Sequence, residues 1–319
     1  MAGLTAARAL KEAGHSVVVF DKSARVGGRM ATRCVDHQSF DHGAQYFTAR
    51  GTDFKNRVQQ WQADGIVAEW GNDRFVGTGG MSGPARAVAR GLDVIGSCEV
   101  TALRQTAAGW SLESPAKTSS RSFHRSFSAI VLALPAPQAL KVLATTDHKI
   151  PKLEHARYAP CWAATLAFSS SQTLPFQDLR PNDDMIAWIA RDSSKPGRLP
   201  SPETFVIHAT PAWSRANLEV LPDDACTALL TRFRVITGFT TEPTYAAAHR
   251  WRYALVEQPA NRPYLWLADA NIGACGDWCL GPRVESAYDS GRALAHAILQ
   301  QMEIAHGDWS TIHDCLLRW

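Results

Sequence analysis

The chain predicts an α/β fold: a doubly wound parallel-sheet domain together with a second domain built on an antiparallel sheet. Three observations predict it. Residues 1–30 read as a helix, a buried strand and a glycine-rich turn. Two later apolar runs, residues 129–134 and 272–275, match short strands covered on both faces, and a helical pattern over 284–300 follows the second. From about Pro151 the pattern changes to alternation, as a half-exposed antiparallel sheet requires.

In the first stretch Ala2, Ala6, Ala9, Leu10 and Ala13 form one apolar face at helical spacing. Gly14 stands where that helix ends, since glycine takes the left-handed cap at little cost. Val17-Val18-Val19-Phe20 is the buried strand, and Asp21 ends it. In a dinucleotide-binding unit an acidic residue at that place accepts hydrogen bonds from the ribose. Gly27 and Gly28 then let the backbone approach a ligand closely. Such a unit opens with a strand and G-x-G-x-x-G, of which only the last glycine, Gly3, is present. The expectation is that the native protein starts roughly a dozen residues earlier, with an apolar strand and the two other glycines.

Further on, Phe54, Val58 and Trp61 predict an amphipathic helix over 53–63, and residues 66–70 a strand. Ser82 stands where it would cap a helix containing Pro84. Residues 98–103 read as a strand, and 114–126, rich in Ser, Lys and Arg, as an exposed hairpin loop. Pro135 and Pro137 stop the strand at 129–134. Alternation over 162–168, 185–190, 205–208 and 247–251 supplies the antiparallel sheet, and 223–237 a helix through Ala225, Leu229, Phe233 and Ile236. Gly276-Asp277 ends the last strand, and Pro282 precedes the helix from Val284. Residues beyond His306 read as a frayed tail. Together with the family resemblance that the motifs below carry, this implies a discontinuous first domain, for a cofactor, of residues 1–52, 76–150 and 262–319, and a second, for substrate, of residues 53–75 and 151–261.

Composition narrows the function. A chain of 319 residues suits two domains. With 45% hydrophobic and 20% charged residues it is an ordinary globular sequence. A net charge of +3 without a Lys/Arg run argues against nucleic-acid binding. No apolar stretch reaches a membrane span of roughly 18 residues, and residues 2–13 are amphipathic rather than a signal peptide. Seven scattered cysteines point to a reducing cytoplasm rather than a disulfide framework, and Cys275 and Cys279 lack the partner pair a zinc site needs. G-x-S-x-G is absent, so serine-hydrolase chemistry has no motif.

A-G-L-x-A-A, a strand ending in Asp21 and Lys22, then G-G-R-M resemble the flavoproteins of the amine-oxidase superfamily. GAQYFTAR from Gly43, LALPAPQA from Leu132, SSKPGR from Ser193, AHRWRYA from Ala248 and CGDWC from Cys275 resemble bacterial renalase-like proteins more narrowly. The resemblance implies FAD as cofactor. It assigns Gly3, Asp21, Lys22, Gly27, Gly28 and Arg29 to the dinucleotide, Gly43 and Ala44 to a segment along the flavin, and Val100 to the adenine edge. Gly276, Asp277, Trp278, Val284 and Glu285 form the second flavin motif, in which a helix N-terminus faces the pyrimidine side of the ring. Val100 reads equally as a core valine, and Trp278 as core packing.

The implied activity is that of a renalase-like FAD oxidase: hydride leaves the 2- or 6-dihydro isomers of NAD(P)H, giving NAD(P)+, and oxygen is reduced to hydrogen peroxide. A dihydropyridine gives up hydride on aromatising, so no prior proton abstraction is needed. The candidate catalytic residues are Gln45 and Tyr46, beside the ring, and His249 and Trp251. Alternation puts these last two on one strand face and Arg250 and Arg252 on the other. His249 reads also as a satisfied core histidine, and at least one of the arginines as solvated. Arg191, Lys195 and Arg198 lie in a polar turn that reads as a surface loop rather than an anion clamp. No lysine poised at the flavin is identifiable, which argues against amine substrates. The alternatives are a flavin amine oxidase and a noncatalytic interaction protein whose FAD binding is impaired.

Overall fold

The computed structural model describes residues 1–115, 125–169, 174–304 and 313–318. The chain divides into two compact units: Met1–Gly28, Ala85–Arg157 and Val256–Trp319 form the first, Arg29–Pro84 and Tyr158–Leu255 the second. Residues 29–52 and 76–84, grouped with the cofactor domain from the sequence, fall in the second. Among the described residues no helix is long and apolar enough to cross a membrane.

The first unit is built on a six-stranded sheet in the order Leu265–Leu267, Ile272–Ala274, Ile130–Ala133, His313–Arg318, Ser16–Asp21, Asp93–Ile95. Every pairing is parallel except that of the edge strand Leu265–Leu267. Val17 to Asp21 are all buried, as a strand covered on both faces demands. The helix Ala2–Glu12 ends as expected: Gly14 has φ +93°, and the His15 N–H donates to the Leu10 carbonyl at 3.1 Å. The helix Val284–Ile304 packs on it so closely that a Cβ on Gly291 would lie 2.2 Å from the Ala2 carbonyl oxygen.

Three expectations for this unit change. Of the strand expected over 98–103 only Ala102 and Leu103 are strand, opening Ala102–Thr106; residues 98–101 are irregular and follow a separate strand, Asp93–Ile95, and a turn at Gly96 and at Ser97, whose φ is +53°. Pro135 and Pro137 do not only stop a strand; they open the helix Ala136–Leu143, where a missing N–H does no harm. The expected tail contains the strand His313–Arg318, which lies between Ser16–Asp21 and Ile130–Ala133. Residues 116–124 of the expected hairpin loop, and 305–312 of the tail, lie outside the described residues.

The second unit holds a five-stranded sheet in the order Asp178–Leu179, Ile186–Arg191, Glu203–Ala209, Arg157–Phe168, Tyr245–Gln258. Glu203–Ala209 runs antiparallel to both Ile186–Arg191 and Arg157–Phe168. One face, with Trp162, Leu166, Phe168, Ile189, Phe205 and Ile207, packs on the helix Pro222–Thr237 through Ala225, Leu229 and Phe233. The sheet is not half-exposed. Six of the seven residues of Glu203–Ala209 are buried, because Phe40 and the segment after it cover the opposite face at Ala167 and Val206. The helix Thr52–Ala63 buries Phe54, Val58 and Trp61, as the spacing requires.

Candidate active site

In the first unit the carboxyl end of Ser16–Asp21 holds Asp21, which is 1% exposed and accepts from the Ser23 N–H at 2.9 Å through Oδ1. Its backbone carbonyl accepts from the Cys98 N–H at 2.9 Å, which fixes the chain leading to Val100. Val100 is buried, and its own backbone N–H and C=O make no hydrogen bond among the described residues. Lys22 is exposed. Gly3 lies in the first turn of Ala2–Glu12, whose N-terminus has no capping side chain, so its first N–H groups are available to a ligand. Gly27 and Gly28 have φ +152° and +55°, values that favour glycine.

In the second motif the Gly276 N–H donates to Ser290 Oγ at 3.1 Å, and Asp277 and Glu285 are both buried, Glu285 one residue past Val284 at the helix start. Trp278 is a correction. It is 0% exposed and its indole N–H donates to the Leu134 carbonyl at 3.0 Å, so it packs inside this unit and offers no face to a ring.

In the second unit, the sheet face opposite Pro222–Thr237 collects Trp188, His208, His249 and Trp251, and residues 40–46 lie over it. Cross-strand pairing sets Trp188 beside His208. His249 and Trp251 share a face, as alternation predicts, with ring centroids 4.4 Å apart. His42 completes the group: its ring lies 5.1 Å from His249 and 5.2 Å from Trp251, and its carbonyl accepts from the Trp251 indole N–H at 2.9 Å. Arg250 and Arg252 lie on the other face and pair with Glu219, so the solvated reading holds for both. Gly43 is required by the chain itself. A Cβ there would lie 2.0 Å from the Arg29 carbonyl oxygen, which accepts from the Ala44 N–H at 2.8 Å, while the Arg29 guanidinium donates to the Ala254 carbonyl at 3.1 Å.

Gln45 is buried and held on both ends of its amide. Its Oε1 accepts from Lys195 Nζ at 3.3 Å. Its Nε2 therefore donates, to the Asp41 carbonyl, to the Gly43 carbonyl at 3.2 Å, and towards His208 Nε2 at 3.3 Å. An ammonium can only donate, so it sets the amide orientation; the two Nε2 hydrogens are shared among these three contacts, and the role of His208 Nε2 follows its tautomer. Tyr46 accepts from Arg180 Nη2 at 3.0 Å.

Lys195 and Arg198 are not a surface loop. Both side chains are buried, with the fully buried Asp41 and Asp192. Lys195 Nζ lies 3.1 Å from Asp41 Oδ2 and 2.5 Å from Asp192 Oδ1; Arg198 pairs with Asp41 and donates to Ser39 Oγ at 2.6 Å. Two cations and two carboxylates cancel, which is the condition for burying any of them. Burial acts to raise the Asp41 carboxyl, but Lys195, Arg198 and the donors Met81 N–H and Thr32 Oγ1 outweigh it and leave it below its usual range. Burial holds Asp192 above that range, with Asp41 adding to the effect against Lys195.

Burial also drives the three histidines down: His42 to about 3, helped by His249 and Arg33; His249 to about 4, helped by Arg33; His208 to about 4. All three are neutral at pH 7. The structure brings Gln45, Tyr46, His249 and Trp251, which the sequence singled out, together with Asp41, His42, Trp188, Asp192, Lys195 and His208, which it did not place there. The spacing of Asp192, Lys195 and Arg198 at i, i+3 and i+6 was the available signal, since only paired charges tolerate burial.

A doubly wound sheet with a carboxylate at the strand end and an open helix N-terminus fits a dinucleotide-binding fold, beside which the chain carries a second, antiparallel sheet. Residues 1–62 match the NAD(P)-binding Rossmann-like domain family, and residues 53–299 match the flavin containing amine oxidoreductase family. The chain belongs to that flavin containing amine oxidoreductase family and is an FAD-dependent oxidoreductase. Among solved structures it resembles a protein from Exiguobacterium sp. 255-15, provisionally named a protoporphyrinogen oxidase, with TM-score 0.70 at 12% identity, covering 94% of this chain and 96% of that one. It resembles cyclohexylamine oxidase from Brevibacterium oxydans IH-35A with TM-score 0.66 at 13% identity, covering 95% and 97%. An oxidoreductase from Methanosarcina mazei gives 0.63 at 11%, covering 93% and 98%. At these identities the likeness shows the fold. The first unit fits FAD: it offers a buried carboxylate for ribose hydroxyls, uncapped helix N–H groups for phosphate, and unengaged backbone groups at Val100 for a base edge.

Proposed function

We propose that the protein is a renalase-like oxidase acting on 2- and 6-dihydro isomers of NAD(P)H, releasing NAD(P)+ and hydrogen peroxide. In this reading Met1–Gly28, Ala85–Arg157 and Val256–Trp319 hold FAD, through Gly3, Asp21, Gly27, Gly28, Val100, Asp277 and the N-terminus at Val284. The sheet face with Gln45, Tyr46, His249 and Trp251 takes the pyridine. Held by these residues, FAD would supply the hydride acceptor for the substrate and the route for two electrons to oxygen. The residues of the chain bind and orient a flat ring among aromatic walls and exclude water from it.

One observation carries the proposal. The ammonium of Lys195 donates to Asp41 Oδ2 and to Gln45 Oε1 and is ion-paired with Asp192 Oδ1 at 2.5 Å. It is thus committed to structure and holds Gln45, rather than serving as a base. An amine substrate must lose a proton before or during oxidation, whereas a dihydropyridine needs none removed. Neutral histidines at the same face suit a substrate whose ring becomes cationic only as hydride leaves.

The second reading is amine oxidation, favoured by the family and by cyclohexylamine oxidase among the similar structures. Anaerobic mixing of flavin-loaded protein with each substrate separates the two. Bleaching of the flavin absorbance by dihydropyridine isomers, and not by amines, is the expected result. Rapid bleaching by an amine alone overturns the proposal, and failure of added FAD to restore flavin absorbance favours a noncatalytic role.

A further inference from the structure

Arg180 is an exposed cation without a carboxylate partner among the described residues. Its neighbours are already committed: Asp178 pairs with Arg74 at 2.7 Å, and Asp183 with Arg232. The Arg180 guanidinium stacks over the Trp188 ring, 4.5 Å from its centroid, and donates to the Tyr46 hydroxyl. Those two rings lie 5.7 Å apart. Stacking and one hydrogen bond fix the plane of the guanidinium and leave most of its five donors unused.

Trp188 supplies the second observation. It is 5% exposed, and its indole N–H has no acceptor among the described residues. A buried donor without an acceptor is costly, so such an atom points to a missing oxygen ligand. The strand shifts register between Ile186 and Trp188, a bulge of the kind that re-aims a side chain. The Tyr46 hydroxyl accepts from Arg180 and keeps its own proton to donate. A guanidinium, an indole with an unpaired N–H and a phenol therefore lie in one cluster that offers donors and one uncompensated positive charge. Arg74, which pairs with Asp178, lies over the rings of Tyr46 and Trp70 at 5.2 and 4.9 Å.

We propose that Arg180, the Trp188 indole N–H and the Tyr46 hydroxyl form an anion subsite that takes a phosphate group of the substrate. It rests on the reading that the substrate is a dihydropyridine nucleotide, and it says how that substrate is chosen. Amines are cations at neutral pH and gain nothing from a guanidinium; a phosphate gains a charge-assisted, two-pronged hydrogen bond.

The test uses flavin-loaded protein, so that the phosphate site of the cofactor is filled, and three variants: Arg180→Ala, Arg180→Lys and Trp188→Phe. The readout is the ratio of kcat/KM for a dihydro-NAD isomer to that for its N-methyl dihydronicotinamide analogue, which has no phosphate. Arg180→Ala lowers this ratio at least about tenfold, the size of one lost charged hydrogen bond. Arg180→Lys recovers part of it. Inorganic pyrophosphate, titrated by calorimetry, binds the wild type and loses affinity in Arg180→Ala and in Trp188→Phe, which keeps an aromatic ring and removes only the donor. Equal pyrophosphate affinity in wild type and Arg180→Ala, or an unchanged ratio, overturns the subsite. If no dihydropyridine is oxidised at all, while pyrophosphate binding still depends on Arg180, the subsite stands and the reaction assignment falls.

Discussion

At the scale of single residues, what decides function is whether a buried charge is free or spent. Lys195 is fully buried, hydrogen-bonded to Asp41 and Gln45 and ion-paired with Asp192, so its role is to hold them in place. Lys195→Met removes one cation from a balanced group and leaves two buried carboxylates sharing Arg198. The expected cost is about 3–5 kcal/mol in denaturant unfolding. A change below about 1 kcal/mol would mean that the cluster relaxes or admits water. Arg252→Ala, on the exposed face with Glu219, should leave the midpoint unmoved. Asp21 belongs to the other unit and to binding. Asp21→Ala should weaken FAD affinity by about 1.5–3 kcal/mol, read by titration of the apoprotein, with little effect on the reduction rate of flavin already bound. An equal dissociation constant in the variant speaks against a ribose contact. His249, Trp251, Gln45 and Tyr46 were singled out in the sequence because local pattern and resemblance marked them. Asp41, His208 and Trp188 were not, because each matters only through partners from distant parts of the chain.

At the scale of elements, the sequence specified most strands and helices by period alone, and it failed where an element depends on a remote neighbour. The helices Ala2–Glu12, Thr52–Ala63 and Pro222–Thr237 carry their own apolar faces, so the spacing sufficed. His313–Arg318 does not: Cys315-Leu316-Leu317 is three apolar residues after a polar stretch, too short to tell from a tail. What makes it a strand is the open pair of edges at Ser16–Asp21 and Ile130–Ala133, whose backbone groups need partners. Leu316 stands opposite Val19 on one side and Val131 on the other. Proline at Leu316 removes a ladder donor and cannot be accommodated inside a sheet, so Leu316→Pro should cost about 3 kcal/mol or more. Hydrogen exchange gives a local readout: amides of Ser16–Asp21 and Ile130–Ala133 should lose protection together. If they keep it, the strand does not hold those edges.

At the scale of the whole molecule, the fold class was readable because a parallel sheet and an antiparallel sheet impose different periods on the same chain. The burial of the second sheet on both faces was not, since Phe40 and its neighbours cover it from far away in sequence. That burial has a consequence for pH. In the folded chain His42, His208 and His249 hold pKa values of about 3, 4 and 4; in the unfolded chain each returns to about 6.5. Above that value neither state is protonated and the three contribute no pH dependence. As pH falls from about 6.5 towards 4, the unfolded chain takes up protons that the folded chain refuses, so stability falls. Asp192 acts in the opposite sense, because its raised carboxyl keeps a proton in the folded state that the unfolded state has lost, and Asp41 acts with the histidines at lower pH. The histidines should therefore contribute up to about three protons to the slope of unfolding free energy against pH in the acid range, less what Asp192 offsets, and His208→Gln should reduce the slope by about one while leaving the contribution of Asp192 in place. Denaturant midpoints between pH 7.5 and 4.5 measure both slopes. A wild-type profile that stays flat through the whole interval would require that these histidines protonate inside the fold. The neutral sheet face on which the proposed dihydropyridine chemistry depends would then be lost.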